Sequence, residues 1–192
     1  MSKNVYIITG PSGVGKTTVA LELLRLMPTL KKVVTCTTRA IREGESDGVS
    51  YHFLDHHTFQ KLIDEGAMFE WDRHYDHLYG SRTSDVQELL EAGNDVLFVV
   101  DIAGAKTVKE VFPHSILFFL EPETEDQLLK RLEKRDNGET TGLHERLTSI
   151  QEEMAFATIA DHSLVNAEGK LDETVKKIQE IMGSLDETQG KS

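Results

Sequence analysis

Cysteine occurs once in the 192 residues, at Cys36, so no disulfide can form within the chain and a cross-linked scaffold is excluded. A reducing compartment suits such a sequence, and the default role of Cys36 is a small half-buried side chain. Positive charge is also scarce: 21 Lys and Arg face 33 Asp and Glu, a formal net charge of -12. Binding along a nucleic-acid backbone needs clustered cations, which this composition lacks, so any phosphate must be met by local arginines. Long apolar runs are missing as well. None approaches the roughly 18 residues of a membrane span, and only four residues precede the first apolar run at Val5, leaving no room for a secretory leader. The expectation is a soluble cytoplasmic protein with neither nucleic acid nor membrane as partner. Repeats and low-complexity tracts are absent too, and 39% hydrophobic residues suffice for one domain with a substantial core.

What is present begins at residue 10. Gly10-Pro11-Ser12-Gly13-Val14-Gly15-Lys16-Thr17 fits GxxxxGK[ST], directly after the apolar run Val5-Tyr6-Ile7-Ile8 and before a helical pattern. Strand, glycine-rich loop and helix in that order predict a cradle for nucleotide phosphates. The glycines let backbone N–H groups converge on phosphate oxygens, the Lys16 ammonium reaches the β- and γ-phosphates, and the Thr17 hydroxyl is offered to Mg²⁺. The motif specifies binding rather than reaction, since kinases, ATPases and GTPases share it.

Along the chain, apolar periodicity alternates between strand and helix. Val19, Leu23, Leu24 and Leu26 mark a helix from Thr17 to Met27, closed by Pro28, after which Val33-Val34 reads as a short buried strand. A loop and an alternating run lead to Leu54, a short helix spans Phe59 to Ile63, and Ala67 to Tyr75 alternates like a strand. Ser84-x-x-Gln87 has the form of a capping box for a helix ending at Gly93. Val96 to Val100 and Ser115 to Leu120 are continuous apolar strands, with Lys106 to Val111 helical between them. Helices are expected over about 123–135, 143–160 and 171–182, with 184–192 a frayed tail. The fold class is α/β, a mainly parallel sheet covered by helices on both faces. Ligands of such sheets collect at the carboxyl ends of the strands, where the glycine loop and Asp101 both fall. Asp101 is either a ligand-linked carboxylate or a helix N-cap.

Residues 35–81 carry polar groups that folding alone does not require. Arg39 and Arg42 flank a loop closed by Gly44 and Gly48 and followed by Tyr51, a set able to grip one phosphate with bidentate bonds. Taken singly, these arginines read equally as solvated charge. Glu70 lies in Met68-Phe69-Glu70-Trp71, an acid in an apolar strand, which costs stability unless a donor meets it. The paired N–H groups of a guanine edge would do so. Tyr79-Gly80-Ser81 adds two hydroxyls. His52, His56, His57, His74 and His77 crowd the same region without metal-ligand spacing and read as solvated or hydrogen-bonded rings.

Taken in order, Gly10 to Thr18, Thr37-Thr38-Arg39, Arg42-Glu43-Gly44-Glu45, Asp47-Gly48-x-x-Tyr51-x-Phe53, Phe69-Glu70-Trp71 and Tyr79-Gly80-Ser81 closely resemble guanylate kinase over most of the first hundred residues. The resemblance implies ATP:GMP phosphotransfer with Mg²⁺, by a monomer or homodimer, on GMP or dGMP. It implies a P-loop core (1–34, 82–123 and 147–183), a small mixed GMP-binding insertion (35–81) and a helical lid (124–146). On it, Ser12, Gly13, Val14, Gly15, Lys16, Thr17, Thr18 and Asn166 bind ATP. Arg39, Arg42, Tyr51 and Tyr79 hold the GMP phosphate, and Thr35, Glu70, Ser81 and Asp101 surround the guanine. Lys16, Arg39 and the lid arginines Arg131, Arg135 and Arg146 neutralise the transferring phosphoryl group. Val99 and Ala103 stand where family members commonly carry an acid and a glutamine. Two alternatives are a catalytically weak interaction module of the same fold and a P-loop kinase for another phosphorylated small molecule.

Overall fold

Three apolar runs form the centre of the molecule: β1 (Val5–Thr9), β7 (Asp95–Val99) and β8 (Ile116–Glu121). Among the residues that the computed structural model describes (4–74, 76–135, 150 and 153–189), they join β2 (Leu30–Lys32) and β9 (His162–Val165) in one parallel sheet of order β2-β7-β1-β8-β9. Because side chains alternate along a strand, each run supplies two cores. Tyr6, Ile8, Leu97, Phe118 and Leu120 pack on one face against Val19 and Leu23 of α1 (Lys16–Leu26) and Val175, Ile178 and Met182 of α6 (Leu171–Gln189). Ile7, Val96, Phe98, Leu117 and Phe119 pack on the other against Val86 of α3 (Thr83–Glu91) and Ala105 and Val108 of α4 (Ile102–Val111). Each large apolar side chain so buried contributes about 1.5–3 kcal/mol relative to exposure.

A second, four-stranded mixed sheet has the order β4-β3-β6-β5, formed by β3 (Cys36–Thr37), β4 (His52–Phe53), β5 (Met68–His74) and β6 (His77–Arg82). Its own core is small: Cys36, Phe59 of α2 (His56–Asp64) and Leu78, with Leu54, Ile63 and Met68 around them. Burial pushes the Cys36 thiol up to about 11, which makes it an inert packing group. A register irregularity between Met68 and Glu70 bends β5. There Phe69 stacks near Phe98 and Phe112, with ring centroids 5.6 and 5.8 Å away, pinning the second sheet to the first. Such irregularities re-aim side chains.

Several expectations need correction. Val33 only extends β2 by one bond, its N–H donating to Leu97 O at 3.0 Å; the strand itself is Leu30–Lys32. Helix α3 starts at Thr83 behind Arg82 with no side-chain cap, so Ser84 is inside the helix and no capping box exists. Strand β6 runs straight into α3, and the Arg82–Asp85 ion pair at 2.8 Å closes the junction instead. Three strands, β3, β6 and β9, lie where none was expected. Phe156–Ile159 forms a 3-10 turn rather than the end of a long helix, and most of 143–152 lies outside the described residues. Helix α6 continues to Gln189, well into the supposed tail. Helix α5 (Glu125–Arg135) ends on Arg135, and Arg146 falls outside the described residues.

Candidate active site

The loop between β1 and α1 sits at the carboxyl end of the central strand. From there the chain leaves β1 toward β2 on one side and β8 toward β9 on the other, the point at which open parallel sheets bind ligands. Gly13 and Gly15 take φ of 85° and 105°, left-handed values that a side chain disfavours. Gly15 is also the N-cap of α1, and a Cβ there would stand 2.6 Å from Asn166 Nδ2. The Lys16 ammonium turns back into the loop, donating to Gly10 O at 2.5 Å and Pro11 O at 3.2 Å. Val14 is buried and its carbonyl faces away from the cleft, accepting from Asn166 Nδ2 at 2.8 Å and Arg131 Nη1 at 3.3 Å. Arg131 also donates to Asn166 O. Asn166 and Arg131 thus brace the loop from behind. Replacing Asn166 with alanine removes a buried bond worth about 1 kcal/mol; the dissociation constant for a nucleoside triphosphate at this loop is expected to rise about fivefold in titration calorimetry.

A cleft of about 390 Å³ opens from this loop toward the second sheet. Ser12, Gly13, Gly15, Lys16, Thr17 and Thr18 line one end. Thr35, Arg39, Arg42, Tyr51, Glu70, Tyr79 and Asp101 line the other. Arg39 is 7% exposed, its guanidinium 5.2 Å from the Tyr51 ring centroid and 5.7 Å from that of Phe53. Its fork donates to both oxygens of Glu45 at 2.8 Å, and Glu45 also accepts from the Arg42 N–H at 2.9 Å. This pairing holds the Glu45 carboxyl below its ordinary range. Tyr51 and Tyr79 meet edge to face, centroids 6.3 Å apart.

At the far wall Glu70 is 7% exposed and its Oε1 has no hydrogen-bond partner. Burial pushes its carboxyl up to about 7, with the Asp101 carboxylate adding to the rise and the neighbouring Ser81 opposing it. Folding therefore carries a proton onto Glu70 that the unfolded chain, near 4.5, has released. Stability contributed by this group is present at low pH and is lost as pH climbs through that interval, up to about 3 kcal/mol. Glu70→Gln is accordingly expected to raise the melting temperature of the ligand-free protein at pH 8, with the gain shrinking toward pH 5. Such a stabilising change would mark Glu70 as a residue the fold does not need.

Of the residues singled out from sequence, Val14, Ser81, Arg131 and Asn166 do not line the cleft; Ser81 is fully buried beside Glu70 in the β5–β6 pairing. Asp101 serves both readings at once, lining the cleft and capping α4 by accepting from Gly104 N at 2.9 Å. Sequence reasoning gave no role to Glu45, Gly80, Val100, Ile102 or Glu153, which also line it. Only Glu45 had a visible signal, an acid one residue beyond the glycine of Arg42-Glu43-Gly44. His52 accepts from Arg82 Nη2 at 2.8 Å and belongs to the Arg82–Asp85 junction. Among the described residues no three or more His, Cys, Asp or Glu are grouped to hold a metal. The one hydroxyl of Thr17 at the start of α1 fits a Mg²⁺ ion that brings its other ligands with it as water and nucleotide phosphate oxygens.

The guanylate kinase family model matches residues 2–185. A guanylate kinase from Salinibacter ruber is 37% identical over 186 residues, 95% of this chain and 98% of its own length. One from Caldanaerobacter subterraneus subsp. tengcongensis is 36% identical over 178 residues, covering 93% and 85%. The crystal structure of guanylate kinase from Anaplasma phagocytophilum superposes with a TM-score of 0.76 at 26% identity, over 95% of this chain and 86% of that one. A shikimate kinase from Aquifex aeolicus, at 18% identity and a TM-score of 0.54, shares the fold alone. With the glycine loop, the bent β5 and the arginine-lined cleft in place along one continuous match, the chain belongs to the guanylate kinase family.

Proposed function

We propose that this protein transfers the γ-phosphoryl group of ATP to GMP, giving ADP and GDP. The observation that carries the reading is one cleft joining a phosphate loop to a buried, half-unpartnered carboxylate, with Arg39 and Arg42 between them. An unpaired acid in a dry wall is costly unless the ligand pairs with it, and the N1–H and 2-amino groups of guanine present the two donors a carboxylate takes. Adenine offers no such pair, and would leave Glu70 unmet. Thr35 and Asp101 complete the polar surround of the base, with Ser81 behind Glu70.

The chemistry is then a matter of charge and alignment. A phosphate oxygen of GMP attacks the γ-phosphorus in line, a new P–O bond forms, and the bond to the β–γ bridging oxygen breaks with its electron pair leaving on ADP. Both reactants are anions, which repel at contact, so the chain's cations set the rate. The loop amides and Lys16 hold the donor phosphates, while Arg39, Arg42, Tyr51 and Tyr79 hold the acceptor phosphate. Mg²⁺, bound with ATP and touched by Thr17, would neutralise the β- and γ-phosphate oxygens. Arg131, Arg135 and Arg146 are proposed to add charge from the 124–146 lid as it closes. Closure excludes water that would otherwise take the phosphoryl group. A buried, unreactive Cys36 and the acidic surface fit a cytoplasmic enzyme.

A coupled assay offering GMP, dGMP, AMP, UMP and CMP with MgATP tests the reading: turnover is expected with the guanine nucleotides and to fall steeply with the others. Glu70→Ala is expected to raise the Michaelis constant for GMP about 10²-fold, as loss of two bonds to a charged group implies, with kcat less affected. An interaction module without turnover has no use for the assembled cleft, and turnover in this assay would exclude it. Equal use of AMP and GMP would favour a kinase for another small molecule.

A further inference from the structure

Gly104 lies in the first turn of α4, and its backbone does not ask for glycine. It is not among the residues with positive φ, and a glycine within a helix costs about 1 kcal/mol relative to alanine. What requires it is space. A Cβ at this position would stand 2.8 Å from Glu70 Oε2, 3.3 Å from Glu70 Cδ and 3.0 Å from Val100 Cβ. The Gly104 N–H meanwhile donates to Asp101 Oδ1 at 2.9 Å. One residue thus fixes Asp101 through its amide and leaves room for Glu70 beside its bare Cα.

We infer that Gly104 is a positioning residue for purine selection, its missing side chain holding open the seat from which the Glu70 carboxylate faces the base. The inference rests on the base-recognition reading above and deepens it. The approach comes from two directions. The irregularity in β5 sends Phe69 into the core against Phe98 and Phe112, which fixes the strand and leaves Glu70, the next residue, to meet α4. With the strand pinned, a methyl group on Gly104 cannot be relieved by moving the backbone. The shorter contact, at 2.8 Å, is relieved at the flexible end of Glu70, which is the end that reads the ligand, while Val100 yields the few tenths of an ångström that its 3.0 Å contact asks. Carboxylate geometry toward a pair of N–H donors is steep in distance and angle, so a displacement of that size reaches binding while sparing the fold.

The test is a double-mutant cycle of Gly104→Ala and Glu70→Ala, read by steady-state kinetics with GMP, AMP and ATP and by thermal melting. Gly104→Ala is expected to raise the Michaelis constant for GMP at least about tenfold and to lower the GMP-over-AMP preference by a similar factor. The constant for ATP should stay within about twofold. In the Glu70→Ala background the same methyl has no carboxylate to displace, so E70A/G104A should match E70A. If G104A alone fails to fold while E70A/G104A folds, the crowding of Glu70 is equally demonstrated. A GMP constant unmoved by G104A, a full G104A penalty persisting in the E70A background, or failure of both to fold would overturn the inference, the last two assigning the glycine to Val100 packing. The base-recognition reading fails separately, if E70A by itself leaves GMP use unchanged.

Discussion

Replacing Lys16 with alanine is expected to lower kcat about 10²- to 10³-fold, the usual cost of losing one preorganised donor at a developing charge. The Michaelis constant for GMP should stay within about twofold, since Lys16 lies at the donor end of the cleft. In the ligand-free molecule its ammonium rests on the carbonyls of Gly10 and Pro11, inside the curve where loop amides and the N-terminus of α1 gather partial positive charge. A phosphate oxygen is a stronger partner for an ammonium than a neutral carbonyl, so a bound triphosphate competes well for this side chain. Nothing else on the loop carries a full positive charge. At about 4 Å and an effective dielectric near 20, one charge pair is worth about 4 kcal/mol, enough to account for the loss. Rates measured with saturating GMP, beside a melting curve that shows the fold retained, check the expectation; a fall smaller than about tenfold would assign transfer to other cations.

How much of this was legible beforehand follows from how local each cause is. The phosphate loop is written in eight consecutive residues, and β1, β7 and β8 in continuous apolar runs, so periodicity and spacing found them. Strand β9 carries no such run: His162–Val165 alternates half-buried and exposed, and only pairing with Phe118 to Glu121, more than forty residues away, makes it a strand. Strand β6 hides behind Gly80 and a histidine for the same reason, its partners lying on β3 and β5. Helix α6 outran its apolar pattern because a helix, once held in the core by Val175, Ile178 and Met182, adds each further residue without paying again for nucleation. Glu70 stood out in sequence as an acid among apolar neighbours. Gly104 did not, because its reason is a side chain thirty-four positions earlier.

Arg39→Ala is expected to raise the Michaelis constant for GMP about 10²- to 10³-fold, more than the loss of one exposed arginine would suggest. The side chain is not an exposed arginine. Its fork lies over the Tyr51 and Phe53 rings and is tied to Ala40 O at 2.7 Å as well as to Glu45, so its direction is set before any ligand arrives. Removing it deletes a preorganised cation and also unmasks the Glu45 carboxylate, which then keeps only the bond it accepts from the Arg42 N–H. Repulsion between Glu45 and the phosphate then adds to the lost attraction. Two consequences separate this account from a simple loss of positive charge. Arg39→Lys should recover little, because an ammonium cannot reproduce the planar fork that serves Glu45 and phosphate together. Arg39→Ala combined with Glu45→Gln should bind GMP more tightly than Arg39→Ala alone, by about three- to tenfold at low salt and less as salt screens the repulsion. Titration calorimetry with GMP at two ionic strengths measures both, and a double variant no better than the single one would mean that Glu45 never faces the phosphate.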